Sequence, residues 1–481
     1  MSPLVRVGTT MGVSAAVVFG VVGATRGEVV RSVVISLAVC VVIVTLFRYR
    51  YRSTAEPTLD RLAGPLSLSW LGLTIGPMHS IAQRPIQEAV GSPGTDAMVE
   101  VAGFGLVAVF SFEALRILRP DLSTVRIPLL VVAYPIVALA SASWSTIGGY
   151  TLAKGVQLLV LALVSVVTIE FGRRGGDVVD LLSRFLRGLI HVTFALIVIR
   201  TITGPMYLVA TGSNVERYAL VGMHPILTGF LVGFALVIVL VTPAHLLRVR
   251  LALRALYAPV FALVLFLAHS RASVAAVSVG LATAVWVLSR QSSVFRTERA
   301  PWFVGGAAVL LLPFWDQIFS YLLRGGGTER LVNANGRTDL WPLFLEKLET
   351  TFDWVFGLGH GQSKILLIDE IAWANSAHSS VVAVIVNLGL VGVAAFLALV
   401  VRCGLSIRRA RRARPDLGAV APALFAMLLL WTYSSDSMIE AAGGLVILYL
   451  LLSVGESVGA DWTEVYATDP ATTHDATRSL P

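Results

Sequence analysis

The chain has 481 residues, of which 56% are hydrophobic and 14% charged, and its mean hydropathy is +0.80. A core cannot hide that much apolar surface, so the composition excludes a water-soluble globule and specifies a polytopic membrane protein, with membrane lipids and not nucleic acid as surroundings. The net charge of +8 reflects 37 Lys+Arg against 29 Asp+Glu, and arginine carries nearly all of the positive charge because Lys154, Lys347 and Lys364 are the only lysines.

Runs of about 20 apolar residues mark membrane helices. In chain order they fall at 7–25, 30–47, 62–82, 97–117, 127–143, 150–171, 185–204, 219–241, 252–268, 271–289, 302–319, 377–401, 418–434 and 439–456. The expected fold is therefore all-α, a transmembrane helical bundle of about fourteen spans. The first run follows Arg6 and ends in Val22-Gly23-Ala24, a pattern shared with secretory signals, and is read here as an uncleaved span.

Arginines alternate along this pattern. Arg48, Arg50, Arg52 and Arg61 form one set, followed by Arg116, Arg119 and Arg126, by Arg173, Arg174, Arg184 and Arg187, by Arg248, Arg250 and Arg254, by Arg290, Arg296 and Arg299, and by six between Arg402 and Arg414. Each set follows every second span, which places those loops and both termini in the cytoplasm. Arg26 and Arg31 are the counter-signal.

On the opposite face loops are short except for residues 320–376, where Gly, Asn, aromatic and charged residues mix and predict an ordered segment inserted before the twelfth span. The polar residues 457–481 predict a disordered cytoplasmic tail. Residues 51–456 then hold twelve of the expected spans and residues 1–50 the first two. Cys40 and Cys403 lie in or beside apolar runs and offer neither a disulfide framework nor a cysteine metal site.

Arg217, Arg271 and Arg337 break the positive-inside pattern. A charge at the hydrocarbon boundary is costly and usually serves a partner or a substrate, and guanidinium forks suit phosphate oxygens. Snorkelling to lipid, or pairing with Glu216, Glu329 or Asp339, is the bland account of each. His378, in "NSAHSSVVAVIVNLGLVG", is a side chain that can take up a proton near neutral pH at the mouth of a span. Asp369 and Glu370 are alternative bases, while Glu100, Glu113 and Glu170, within or at the ends of spans, would suit a transporter.

His378-Ser379, nine residues, then Gly389-Leu390-Val391-Gly392 resembles the H-[NSQ]-x9-G-x-x-[GTV] motif of the O-antigen ligase and polysaccharide polymerase family. "NGRTDLWP", with Gly336, Arg337 and Trp341, resembles the family's G-R-x-x-x-W segment. "VFGLGHGQS", with Gly357, Gly359 and Gly361, resembles its G-x-G stretch, and "SASWS" and "HSRAS" are similar to two earlier segments. The similarity covers roughly residues 95–455.

The resemblance implies a glycosyltransferase that moves a glycan from a polyprenyl-diphosphate donor to a hydroxyl of a glycan or glycolipid acceptor, without cofactor or metal. It implies His378 as general base, Arg217, Arg271 and Arg337 as diphosphate ligands, and Ser379, Trp341 and Asn375 as supporting residues. It does not separate a polymerase from a ligase. A transporter or flippase for lipid-linked sugars is the rival class, and a peptidoglycan-type polymerase, centred on acidic catalysis, a third.

Overall fold

The computed structural model describes residues 59–80, 95–118, 129–204, 206–209, 216–221, 223–291, 337–368, 370–371, 377–435, 438–439 and 443–465. The spans expected at 7–25, 30–47 and 302–319, Asp369 and Asn375 lie outside these residues. The described helices are α1 (Asp60–Ser80), α2 (Thr95–Leu118), α3 (Leu129–Ala140), α4 (Gly148–Arg173), α5 (Val178–Ile202), α6 (Pro225–Val241), α7 (Ala244–Leu247), α8 (Leu251–Leu267) and α9 (Arg271–Gln291). Beyond them come α10 (Arg337–Glu346), α11 (Thr351–Phe356), α12 (Ser380–Ala413), α13 (Val420–Ser434) and α14 (Gly444–Val465). A short antiparallel hairpin, β1 (Met206–Val209) and β2 (Glu216–Ala219), pairs Leu208 with Arg217.

The expected spans from 62 to 289 and from 377 to 456 each coincide with a helix. By length and composition α4, α5, α9 and α12 can cross a membrane, and α3, α6, α8, α13 and α14 contain shorter apolar helices. The protein is thus a multi-pass membrane protein. Boundaries differ in instructive places. The apolar run beginning at 219 does not start a helix there, because residues 216–219 are a strand; α6 begins at Pro225, whose missing N–H suits a first helical position, behind His224 as cap. α14 continues to Val465, into the segment expected to be disordered, and the sequence holds no proline to stop it before Pro470.

The bundle has two chemically different ends. At one, arginines from separate sequence sets meet buried and half-buried carboxylates. Asp180 accepts from Arg184 at 2.6 Å and from Arg248 at 3.0 Å, and Glu170 accepts from Arg174 at 2.9 Å. Glu456 takes a bidentate pair from Arg402 at 2.7 and 2.6 Å, and a further bond from Arg409 at 2.7 Å. Gly172 packs on Ser457, which ties the ends of α4 and α14 together. We call this the arginine end.

At the other end lie the start of α6, the hairpin between α8 and α9, the start of α12 and the finish of α13. This is the histidine end. Two of the membrane carboxylates are answered by ion pairs away from it: Glu113 pairs with Arg116 at 2.9 Å and Glu170 with Arg174. Glu100 pairs with Lys154 of α4 at 2.8 Å, both side chains being nearly buried.

α12 is not one continuous helix. At Gly389 the backbone turns to φ 59° and ψ −159°, a conformation open essentially to glycine alone. The sequence pattern suggests a glycine for close helix packing, but the residue serves to break the helix. A Cβ there would lie 2.5 Å from the Val355 carbonyl carbon. Gly389→Ala is therefore expected to cost about 1–3 kcal/mol from backbone strain alone, and more from the clash. Gly105→Ala, at a helical glycine of α2 with nothing within 4 Å, should instead gain up to about 1 kcal/mol. Thermal unfolding in detergent measures both, and equal melting temperatures would contradict the assignment of the break.

Candidate active site

The break in α12 receives a loop. Leu358 N–H donates to Val386 O and Gly359 N–H to Asn387 O, both at 2.9 Å. These carbonyls would otherwise bond to residues 390 and 391, just past the break. In a membrane an unmet carbonyl costs several kcal/mol, roughly, so the loop supplies what the helix has lost. Gly357, Gly359 and Gly361 all have positive φ, at 73°, 115° and 91°, and they approach the Asn387–Leu388 backbone, Ser145 and the Tyr150 ring too closely for a side chain.

The segment "SASWSTIGGYT" holds the other side of the loop. Trp144 Nε1 donates to Gly357 O at 3.0 Å, Ser141 Oγ accepts from His360 N–H at 2.9 Å, and Thr151 Oγ1 donates to His360 O at 2.8 Å. Gln362 reaches Ser145 and Thr146 with its amide. Asn387, fully buried, accepts from Ser363 N–H at 2.8 Å through Oδ1. Segments separated by more than two hundred residues thus form one interlocked unit. His360 is buried within it and acts as framework.

Ahead of the break, His378 stands just before the N-cap of α12. Its φ is +51°, left-handed for a non-glycine residue, and the ring is half-buried. Ser379 is buried and occupies the N-cap position without a side-chain capping bond. Trp341 of α10 fixes the approach to His378: its Nε1 donates to Ala377 O at 3.1 Å, and its ring meets Tyr433 edge-on at 5.4 Å. Ser380 Oγ donates to Ser435 O at 2.5 Å, which joins α12 to the finish of α13. Arg337 begins α10, one turn before Trp341.

Arg217 and Arg271 meet at a second corner. Arg217, buried on β2, donates from Nε to Ala268 O at 3.2 Å. Ala268 opens the three-residue turn from α8 to α9, and Arg271 is the first residue of α9. Ser270 and Ser273 share a hydrogen bond at 2.7 Å and press against Gly229 of α6, where a Cβ would lie 2.7 Å from Ser273 Oγ.

The two corners share α13. Phe230, next to Gly229, stacks at 4.5 Å on Trp431, one turn before Ser435 and its bond to Ser380. His378, Trp341, Arg217 and Arg271 therefore gather at the same end of the bundle. Glu370, weighed as an alternative base, pairs with Lys347. Among the described residues no three His, Cys, Asp or Glu side chains cluster as metal ligands.

Sequence reasoning missed Asn387, Ser145 and Gln362, the side chains that hold the glycine loop. One signal existed: Asn387 is the lone polar residue in the run "VVAVIVNLGLVG". Asn387→Leu keeps a similar volume but leaves Ser363 N–H unmet in a buried place, a cost of about 1–3 kcal/mol. Hydrogen exchange at Leu358, Gly359 and Ser363 should then quicken while the amides of α14 stay protected. Unchanged exchange at all three would show that the side chain does not hold the loop.

Residues 256–397 match the family model described as O-antigen ligase. No curated protein was found to match the chain. The matched segment runs from within α8 to beyond the break in α12, so it contains Arg271, Arg337, Trp341, the glycine loop, His378 and Gly389, while Arg217 and the Trp144 segment lie outside it. From within α8 to beyond the break in α12, this multi-pass membrane protein is O-antigen ligase-like.

Proposed function

We propose that the protein transfers a glycan from a polyprenyl-diphosphate donor to an acceptor hydroxyl, in the polymerisation or ligation of a cell-surface polysaccharide. The O-antigen ligase match indicates a glycosyltransferase-type membrane enzyme acting on lipid-linked glycans. On this proposal the histidine end faces outward from the inner membrane and both termini are cytoplasmic. Residues 51–456 form the transferase body, with 1–50 an added helical pair.

His378 takes the proton of the acceptor hydroxyl as its oxygen attacks the anomeric carbon. The bond from that carbon to the diphosphate oxygen breaks, the electron pair leaves with the diphosphate, and the configuration inverts. Arg217 and Arg271 hold the diphosphate as its charge grows, with Arg337 as a further contact. Trp341 positions the base through its bond to Ala377 O, and Ser379 and Asn375 support it. The chemistry calls for no metal or cofactor.

The observation that carries this proposal is the bond from Arg217 to Ala268 O, which fixes one guanidinium against the turn that leads into Arg271, at the end of the bundle that also holds His378. A transporter or flippase finds less support, since Glu100, Glu113 and Glu170 are each held in an ion pair rather than aligned along a path.

In proteoliposomes supplied with a lipid-linked donor, His378→Ala should lower glycan transfer at least about 100-fold, the ordinary contribution of a general base. Transfer at the wild-type rate would remove His378 from the chemistry. Arg271→Lys keeps the charge but loses the fork; it should weaken donor use several-fold at an unchanged melting temperature, and unaltered donor kinetics would count against a diphosphate contact. Movement of donor across the bilayer with no new glycosidic bond would identify a transporter.

A further inference from the structure

Among the described residues, three that are not glycine adopt positive φ: Arg248 at 52°, His269 at 46° and His378 at 51°. Arg248, like His269, stands at a helix end, but at the arginine end and away from the candidate site. The other two are histidines at the histidine end, and their surroundings match. Each is followed by a buried serine, Ser270 or Ser379, and each of those serines precedes the first residue of a helix, α9 or α12.

His269 occupies the turn that closes α8, where its N–H donates to Phe266 O at 3.0 Å. Glycine is the usual residue at such a turn because it adopts the left-handed conformation without steric cost. A histidine here bears that cost, and strain of this kind concentrates where a side chain has a task. Both neighbours are fixed: Ala268 O accepts from Arg217, and Ser270 presses against Gly229 and Ser273. Ser270 points into the packing, so His269 and Arg271 are the half-exposed residues on either side of it.

We propose that His269 is a third donor-side contact, its ring N–H donating a hydrogen bond to the diphosphate of the lipid-linked substrate beside Arg217 and Arg271. The inference rests on the transferase reading above. No bond to His269 forms or breaks in this step. The electron pair of the cleaved bond goes to the diphosphate, the acceptor proton goes to His378, and His269 shares the charge that the two arginines receive.

A backbone role and a ligand role separate cleanly, because asparagine and glycine both tolerate the left-handed conformation. Binding of geranylgeranyl diphosphate to the purified full chain in detergent is measured by calorimetry, with geranylgeraniol as the control for the tail alone. His269→Asn and His269→Gly should each weaken diphosphate binding about tenfold, the loss of one hydrogen bond to a charged group. Their melting temperatures should stay at or above that of wild type, and geranylgeraniol binding should not change.

Wild-type affinity in both variants would overturn the inference and leave His269 as a helix terminus only, with the transferase reading intact. If one variant misfolds, the other decides. If the wild-type chain itself prefers geranylgeranyl diphosphate no more than geranylgeraniol, and Arg217→Ala and Arg271→Ala change nothing, the diphosphate site is wrong and the inference falls with it.

Discussion

The amides of Leu358 and Gly359 meet the carbonyls of Val386 and Asn387 where α12 breaks at Gly389, and the histidine end depends on that junction. A continuous helix would satisfy its own carbonyls and leave the loop no backbone partner. A break with nothing docked into it would leave those carbonyls unmet in apolar surroundings, which a membrane protein cannot sustain cheaply. The glycines of the loop and Gly389 answer the same constraint from two sides, since both backbones must come closer than a Cβ allows. Once the loop is docked, Ser141 and Trp144 of the α3–α4 connection and Thr151 of α4 close over it, and the first section of α12, which His378 precedes, has a fixed base.

Charge is partitioned along the same axis. At the arginine end the carboxylates are met by guanidiniums in short ion pairs, including the buried Glu456 with its two arginines. Such pairs offset the cost of holding charge near hydrocarbon and leave little to offer a ligand. At the histidine end Arg217 donates from Nε to the backbone carbonyl of Ala268, which fixes the guanidinium in place. A cation fixed in that way can still respond to a negative group that develops nearby.

Much of this was legible in the sequence because bilayer thickness and backbone hydrogen bonding leave few options: a long apolar run with no internal break has to be a helix. The helices α1 to α6, α8, α9 and α12 to α14 follow from that rule, while the one-turn α7 lies between two expected spans. The hairpin at 206–219 did not, since a four-residue strand beside an apolar run has no periodicity strong enough to separate it from the start of a span. Arg217 was singled out as a misplaced charge, but its link to Ala268 joins residues far apart in sequence and is a tertiary fact. Gly389 was visible as part of a motif, and its task was not; the same letter serves close packing, a positive φ or a helix break, and only the backbone angles decide. The left-handed histidines escape pattern reasoning because even histidine, which is enriched at positive φ, adopts it at only a small share of its positions.

The central claim is that a diphosphate is received at the histidine end, between the corner built by β2 and the α8–α9 turn and the head of α12. An experimental structure of the chain in lipid with a non-transferable polyprenyl-diphosphate glycan bound tests it most directly. The account predicts the diphosphate within hydrogen-bond reach of Arg217 and Arg271, with the anomeric carbon turned toward His378. A diphosphate bound at the arginine end, or midway along the bundle and away from His378, would contradict it.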